Sequence, residues 1–293
     1  MKKISVWLIL LCSFTANAQL LWKISNNGLD KPSFIFGTHH LAPHSIIDSV
    51  AGFQEALNDV AQVYGEVDLN EIQDPSYVLK MQKAIMLLGD TTLHTLLTKR
   101  QYRLADVKAR QILGIGLSQM DNLKPSFLCS QIAIVLYANI IKDYEPEMQL
   151  DLWILTEAQK QEKKIGGLET TDFQLDLLFN YQSLKRQAKQ LYSLLMHTDL
   201  FVRQAESITN AYLSQNLESM EKASNLKTGF ASDYRPEEME VILYGRNDKW
   251  VKLMPSIMAD NPTLFVVGAL HLLGERGILH QLREQGYTVE AVN

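Results

Sequence analysis

The most constraining feature of this sequence is a pattern that occurs twice, once near each end of the chain. Near the end, an apolar and β-prone run leads into Gly268 and His271, followed by an amphipathic helical segment and a second short apolar run. Near the start, a similar run leads into Gly37 and His40, again followed by a helical segment and a returning strand. Both copies are typical of strand, Gly-x-x-His loop, helix and strand. The repetition predicts two half-sites that folding brings together.

Carboxylates are predicted at the same edge of the sheet as these loops. Strands joined through one helix are normally parallel neighbours, so the loop and the end of the returning strand lie side by side. That returning strand carries Glu66 and Asp68, which are two residues apart and therefore face the same side. A later buried strand over residues 164–169 ends in Glu169. Since open α/β sheets bind ligands at the carboxyl ends of their strands, this edge is the expected site.

Two imidazoles with one or two carboxylates form a ligand set that suits zinc, manganese, cobalt or iron. Such a metal would polarise a carbonyl group and lower the pKa of a bound water. The residues also allow a purely structural interpretation, in which His40 and His271 cap the helices that they precede or bond to loop carbonyls. The two interpretations have similar weight on the residues alone.

The remaining pattern predicts an α/β (α+β) fold. A hairpin with a turn at residues 26–28 opens the mature chain, and a largely helical stretch over about residues 74–163 is expected as an insertion that covers one face. Two further helices are expected on either side of residues 244–247, with Asn247 or Asp248 capping the second. The predicted architecture is a central mixed β-sheet, built from two βαβ half-units that carry the Gly-x-x-His loops, within a single domain over residues 19–293.

The first eighteen residues have the pattern of a signal peptide. Lys2 and Lys3 precede an apolar run over residues 4–14, and residues 16–18 read Ala-Asn-Ala, a typical cleavage site. The apolar run is too short to span a membrane, which needs about 20 residues. The mature chain is therefore expected to begin at Gln19 and to be exported, to a periplasmic or extracellular location.

Charge and hydropathy exclude other classes of partner. The formal net charge is −5, and the signs are dispersed, so there is no basic stripe of the kind that binds nucleic acid. No apolar segment of the mature chain reaches the length of a spanning helix, so no membrane span is expected there. The oligomeric state is not predicted by these patterns.

Several motifs, taken in order along the mature chain, resemble those of one family. They are residues 21–24 (LWKI), residues 37–41 (GTHHL), Glu66 with Asp68, residues 167–170 (GLET) with Gln174, Arg246 and Asn247 with Trp250, and residues 268–272 (GALHL) with Gly274 and Gly277. The chain is similar in these motifs to the TraB/GumN family, whose eukaryotic relatives include the Tiki membrane-tethered metalloproteases. The similarity covers nearly the whole mature chain.

The resemblance implies that His40, Glu66, Arg246 and His271 converge on one site. In the Tiki branch such a site is linked to metal-dependent cleavage of peptide bonds, with manganese or cobalt as the ion, so a peptide or protein substrate is implied. His40 and His271 would bind the metal, Glu66 would bind it or act as general base, and Arg246 would hold a substrate carboxylate or an oxyanion. The implied supporting residues are Glu169, Asp68, Gly37, Gly268 and Asn247.

Three alternatives remain open beside that interpretation. Arg246 could simply pair with Glu66 or Glu169. The chain could be a non-catalytic protein that binds a metal, haem or a peptide in the same cleft. His39 stands where this family usually has an aliphatic residue, and since neighbours on an extended chain point to opposite sides, only one of His39 and His40 should enter the site. The chain has no H-E-x-x-H motif, so the expectation of a protease rests on the resemblance.

Overall fold

Six strands form one mixed sheet in this computed structural model, which describes residues 19–141 and 148–292. The strands are β1 (Leu21–Ser25), β2 (Ser33–Thr38), β3 (Gln62–Val67), β4 (Lys164–Glu169), β5 (Thr263–Gly268) and β6 (Thr288–Ala291). They lie in the order β4-β3-β5-β2-β1-β6. The four strands β2, β3, β4 and β5 run parallel to one another, and β1 is antiparallel to both of its neighbours, β2 and β6. Four strands therefore end at one edge, and the prediction of a mixed sheet is confirmed.

The predicted N-terminal hairpin is confirmed. Strands β1 and β2 pair in antiparallel register, and Asn26, Asn27 and Gly28 between them all have positive φ. Asparagine and glycine adopt this left-handed backbone more readily than other residues, which is why they dominate such turns.

The predicted pairing of each βαβ unit was wrong. Strand β5 lies between β2 and β3, and β6 pairs with β1 rather than with β5. The burial of the strands explains this order, because residues 263–267 of β5 are all buried whereas β6 is partly exposed. An apolar run covered on both faces belongs at the centre of a sheet. As a result β2 and β5, the two strands that lead into the Gly-x-x-His loops, are direct neighbours, with Thr38 opposite Gly268.

Helices connect the strands and make up most of the described chain. They are α1 (Phe53–Asp59), α2 (Leu69–Gln73), α3 (Pro75–Ile85), α4 (Leu93–Leu96), α5 (Lys99–Leu113), α6 (Pro125–Ala138), α7 (Leu150–Lys160), α8 (Thr171–Phe179), α9 (Leu184–Met196), α10 (Thr198–Leu213), α11 (Leu217–Ser224), α12 (Pro236–Met239), α13 (Gly245–Asp260) and α14 (Ile278–Glu284). The predicted helical stretch over about residues 74–163 contains α3 to α7. The predicted signal peptide over residues 1–18 and part of the predicted break before α7 lie outside the described residues.

Two apolar clusters hold these elements together. The larger surrounds the sheet and includes the side chains of Phe36, Phe265 and Trp250, each at most 1% exposed. The smaller joins α4, α5, α6 and α9. No helix in the described ranges is both long enough and apolar enough to cross a membrane.

The break predicted at residues 244–247 is absent from the fold. Helix α12, a π-helical turn over Glu240–Tyr244 and α13 follow one another without a loop. Gly245 has a helical φ of −67°, so it does not interrupt the helix. The predicted cap at Asn247 or Asp248 was wrong, because both residues lie inside α13, and the Asn247 side chain bonds to His271 instead. π-helical turns are frequent at functional sites, and this one ends at Tyr244, two residues before Arg246.

Candidate active site

The two Gly-x-x-His loops meet where β2 and β5 end. His271 lies in a 3₁₀ turn over Ala269–Leu272, which follows β5 directly. A Cβ atom on Gly37 would lie 2.7 Å from Leu272 Cδ1 and 3.0 Å from Ala269 Cα. Glycine therefore allows the end of β2 to pack against the turn that carries His271.

Arg246, at the start of α13, joins the carboxylates of two strand ends. Its Nη2 atom lies 2.5 Å from Glu66 Oε2 and 2.7 Å from Glu169 Oε1, and its Nε atom donates to Glu169 Oε2 at 3.1 Å. All three side chains are at least 87% buried, with exposed fractions of 8%, 13% and 7%. Gln174 Nε2 completes the cluster by donating to both carboxylates, at 3.3 and 3.4 Å.

The guanidinium of Arg246 has no donor left for a substrate in this arrangement. Besides the three bonds to Glu66 and Glu169, Nη1 donates to Ile242 O and to His271 Nε2, both at 3.1 Å. A guanidinium carries five N–H donors, and these five bonds use all of them. The geometry makes Arg246 a residue that positions Glu66, Glu169 and His271.

His271 is held in one tautomer. Because Arg246 can only donate, His271 Nε2 must accept, so the ring proton is on Nδ1. Nδ1 donates to Asn247 Oδ1 at 2.6 Å, and Asn247 Nδ2 donates to the carbonyls of His271 and Arg276. Burial lowers the pKa of His271 to about 3, with Arg246 adding to this effect and Glu66 opposing it. The ring is therefore neutral, with its Nε2 accepting from Arg246 and lying 3.8 Å from Glu66 Oε1.

His40 is oriented in the same way by a different acceptor. Its Nδ1 donates to Asp151 Oδ1 at 2.9 Å, and its Nε2 has no hydrogen-bond partner among the described residues. Its side chain is 53% exposed. The Asp151 carboxylate raises the pKa of His40 to about 9, although burial acts in the opposite direction. Each motif histidine thus has Nδ1 fixed by an oxygen atom and Nε2 facing away from that anchor.

The neighbouring His39 is anchored among helices. Its Nε2 lies 3.0 Å from both Tyr137 Oη on α6 and Thr209 Oγ1 on α10, and its ring meets the Tyr212 ring edge-on. Burial lowers the pKa of His39 to about 3, and the nearby His40 adds to this effect. The His39 Nε2 is therefore directed at helices α6 and α10, whereas the Nε2 of His40 has no hydrogen-bond partner among the described residues.

The two buried carboxyls have different electrostatic environments. Burial alone would raise the pKa of Glu66, but Arg246, His271, His40 and the Gly268 N–H lower it to about 2. Gly268 N donates to Glu66 Oε1 at 2.9 Å. Burial raises the pKa of Glu169 above its ordinary value, against the effect of Arg246. Glu66 is therefore a stable anion, which suits a ligand for a cation better than a base.

The predicted supporting residues divide into two groups. Gly37, Gly268, Asn247 and Glu169 contact the cluster or the turn that carries it, as described above. Asp68 instead caps α2, where its carboxylate accepts from the backbone and side-chain nitrogens of Asn70. It does not line the cavity described below.

Asp151 was missed by the sequence analysis. It lies in the first turn of α7, 111 residues after His40. An acidic residue there is common because it complements the helix dipole, so the sequence has no signal that sets Asp151 apart. Trp250, which was part of the family resemblance, stacks over Arg246 with its ring centre 4.6 Å from Cζ and also contacts the His271 ring.

One cavity of about 460 Å³ brings the candidate residues together. His39, His40, Glu66, Arg246 and His271 all line it, so the prediction that only one of His39 and His40 enters the site was wrong. This size is within the range of roughly 300–1,000 Å³ that is typical of sites for small ligands. The cluster is therefore accessible to a ligand despite its burial.

The donor atoms of this site, imidazole nitrogens and carboxylate oxygens, are of the types that bind a divalent metal. His271 Nε2 carries a lone pair, Glu66 is ionised, and His40 has its Nδ1 on a carboxylate, which is the usual support for a metal-binding histidine. Their positions are not those of a closed metal site, because within the described ranges no three His, Cys, Asp or Glu side chains are grouped to hold an ion. Arg246 lies against both Glu66 and His271, so metal binding requires Arg246 to release His271.

Comparison with known proteins places the chain in a family. The model of the TraB/PrgY/gumN family matches residues 20–291. The chain belongs to this family. The resemblance found in the sequence motifs is thereby confirmed, and the match extends from the residue before β1 to the last residue of β6.

Curated relatives of this TraB/PrgY/gumN member include proteins named metalloproteases. It is 23% identical to "Metalloprotease TIKI2" of Danio rerio over 319 residues, which is 92% of this chain and 60% of that protein. It is 24% identical to "Metalloprotease TIKI1" of Homo sapiens over 314 residues, with 92% and 61% covered. The chain thus spans about 60% of the length of these relatives. No solved structure matches it.

Proposed function

We propose that this protein is a metal-dependent hydrolase that cleaves peptide bonds, with His40, Glu66 and His271 holding the ion. The observation that carries the proposal is that the imidazoles of His40 and His271 line one cavity with the ionised carboxylate of Glu66. Each imidazole has its Nδ1 fixed by an oxygen atom. The relatives named metalloproteases support the reaction class and a protein or peptide substrate. By the same relationship manganese or cobalt is the proposed ion, and zinc or iron would also suit these donors.

Each residue around the proposed metal site has a separate role. When bound, the metal would supply Lewis-acid polarisation of the scissile carbonyl. Asp151 orients His40, and Asn247 keeps the proton of His271 on Nδ1 so that Nε2 stays available. Arg246 holds Glu66 and Glu169 in place through its Nη2 and Nε atoms. Once Arg246 releases His271 Nε2, its Nη1 has a free donor that can bind an oxygen of the substrate.

Metal analysis of the mature chain tests this proposal. The protein over residues 19–293 is exchanged against manganese, cobalt and zinc, beside His40→Ala, His271→Ala and the control His280→Ala, whose side chain is 46% exposed on α14. We expect about one ion per chain in the wild type and in His280→Ala, and strongly reduced content in the other two variants. Equal metal content in all four would remove the proposed metal site.

A second candidate function is non-catalytic binding of a metal, haem or a peptide in the same cavity. The observation that favours it is that all five N–H donors of Arg246 bond to protein atoms, so that none is available to a substrate. A hydrolase should lose turnover in Glu66→Gln, whereas a binding protein should retain its ligand with little loss of affinity.

Export is proposed from residues 1–18, with a periplasmic or extracellular destination. The proposal rests on the signal-peptide pattern alone. N-terminal sequencing of the protein recovered from expressing cells tests it, since cleavage after Ala18 would leave Gln19 as the first residue.

A further inference from the structure

The cavity continues from the candidate active site into a second region with mostly apolar walls, here called the apolar arm. Helices α9, α10 and α11, the loop over residues 225–235 and the π-helical turn form its walls. Its main apolar lining residues are Leu194, Phe201, Ile208, Met220, Phe230 and Ile242. The arm and the site residues belong to one continuous cavity, so a molecule bound at Glu66 and His271 can extend into the arm.

The charged groups on the walls of the arm are already paired with the loop itself. Asp233 accepts from the backbone nitrogens of Thr228 and Gly229 and from the Thr228 hydroxyl. Lys227 Nζ donates to the carbonyl of Tyr234 at 3.0 Å. A charged side chain entering the arm would lose its hydration without gaining an ionic partner, which is unfavourable.

The arm is formed before any ligand arrives. Arg186 on α9 makes a two-pronged ion pair with Glu238 at 2.6 and 2.7 Å, and two of its other donors reach the carbonyls of Ala231 and Asp233 in the loop. The His197 ring stacks on Phe230 with ring centres 3.7 Å apart. A wall that is fixed in advance lowers the entropic cost of ligand binding.

We propose that the apolar arm is a specificity site that binds a bulky, uncharged apolar side chain of a peptide substrate, next to the bond that the active site cleaves. This inference rests on the proposed hydrolase function and adds the substrate class. The occupant is a side chain of the substrate because the arm opens into the candidate active site within a single cavity. Apolar side chains such as Phe and Leu match its walls, and Asp and Lys do not.

Cleavage of matched peptides tests the specificity. The peptides are identical except for Phe, Leu, Ala or Asp at one position, which is moved along the peptide, and products are identified by mass spectrometry. We expect the peptides with Phe or Leu next to the cut to react at least about tenfold faster than the Asp peptide. Ile208→Trp, which fills the arm, should reduce this preference about tenfold, while Leu104→Trp on the exposed face of α5 should not. Equal rates for Leu and Asp would overturn the inference.

A binding measurement separates this inference from the hydrolase proposal. If no peptide is cleaved with any metal, the hydrolase proposal fails and the arm is tested with N-acetyl-phenylalanine amide and N-acetyl-aspartic acid amide by ligand-observed NMR. We expect the Phe probe to bind at least about tenfold more tightly, and Ile208→Trp to abolish the difference. If Ile208→Trp does not fold by circular dichroism, Phe201→Ala replaces it and should weaken binding of the Phe probe. Equal affinities for both probes in the wild type would overturn the inference.

Discussion

His40 Nδ1 donates to Asp151 Oδ1 at 2.9 Å, across 111 residues of sequence and between the end of β2 and the start of α7. This bond leaves the other ring nitrogen of His40 free of partners among the described residues. The relationship matches that of His271, whose Nδ1 donates to Asn247 Oδ1 at 2.6 Å. The two motif histidines are therefore oriented by separate acceptors before any ligand binds.

Asp151→Asn should weaken metal binding without unfolding the protein. Carboxylates that orient metal-binding histidines typically contribute a factor of about 10–100 to metal affinity, so we expect a loss in that range by calorimetric titration. In the metal-free protein, NMR titration should give His40 a pKa of about 9, which falls toward its ordinary value in the variant. Asp172→Asn is the matched control, since Asp172 pairs with Lys80 at the surface. Unchanged affinity in Asp151→Asn would contradict the orienting role.

Arg246→Met should destabilise the fold strongly. It leaves Glu66 and Glu169 buried without their counter-charge, and removal of one partner from a buried ion pair costs about 3–5 kcal/mol. Chemical denaturation should show this loss in the free energy of unfolding. The control Arg110→Met removes a partly exposed helical pair with Asp106 and should cost at most about 0.5 kcal/mol. Similar losses in both variants would contradict the role of Arg246 as the buried counter-charge of Glu66 and Glu169.

The ion pair between Arg186 and Glu238 should make stability depend on pH. Burial alone would raise the pKa of Glu238, but the bonds from Arg186 and the Arg235 N–H lower it. A carboxyl whose pKa is lower in the folded state stabilises the fold above its unfolded pKa, about 4.3, and loses that effect as pH falls through the folded value. Glu238→Gln should therefore cost about 3 kcal/mol at pH 7 and clearly less at pH 3. A pH-independent difference in thermal unfolding would contradict this.

Much of the fold follows from local sequence pattern. The strands before Gly37 and Gly268, the N-terminal hairpin and the strand ending in Glu169 were predicted because periodicity and turn residues act over a few positions. The order of the strands was not, since β5 pairs with β2 and β3 across long sequence separations that periodicity does not record. The full burial of β5 is the physical reason for its central place.

The candidate site was predictable in part for the same reason. His40, His271 and Glu66 were found because each follows or ends a strand, and Arg246 was found through the family resemblance. Asp151 was not, because its relation to His40 depends on the packing of α7 against the sheet and not on any local signal. The continuous helix through Gly245 was also missed, since a single glycine weakens a helix without ending it.

Metal-dependent peptide hydrolysis is tested most directly by incubating a peptide library with the chain over residues 19–293, with manganese or cobalt and with a chelator, beside the Glu66→Gln variant. Circular dichroism of both proteins provides the folding control. We expect cleavage that the chelator abolishes and that Glu66→Gln lowers by at least about a hundredfold, because the anionic ligand is lost. Cleavage that persists with chelator, or equal rates in the wild type and Glu66→Gln, would contradict it.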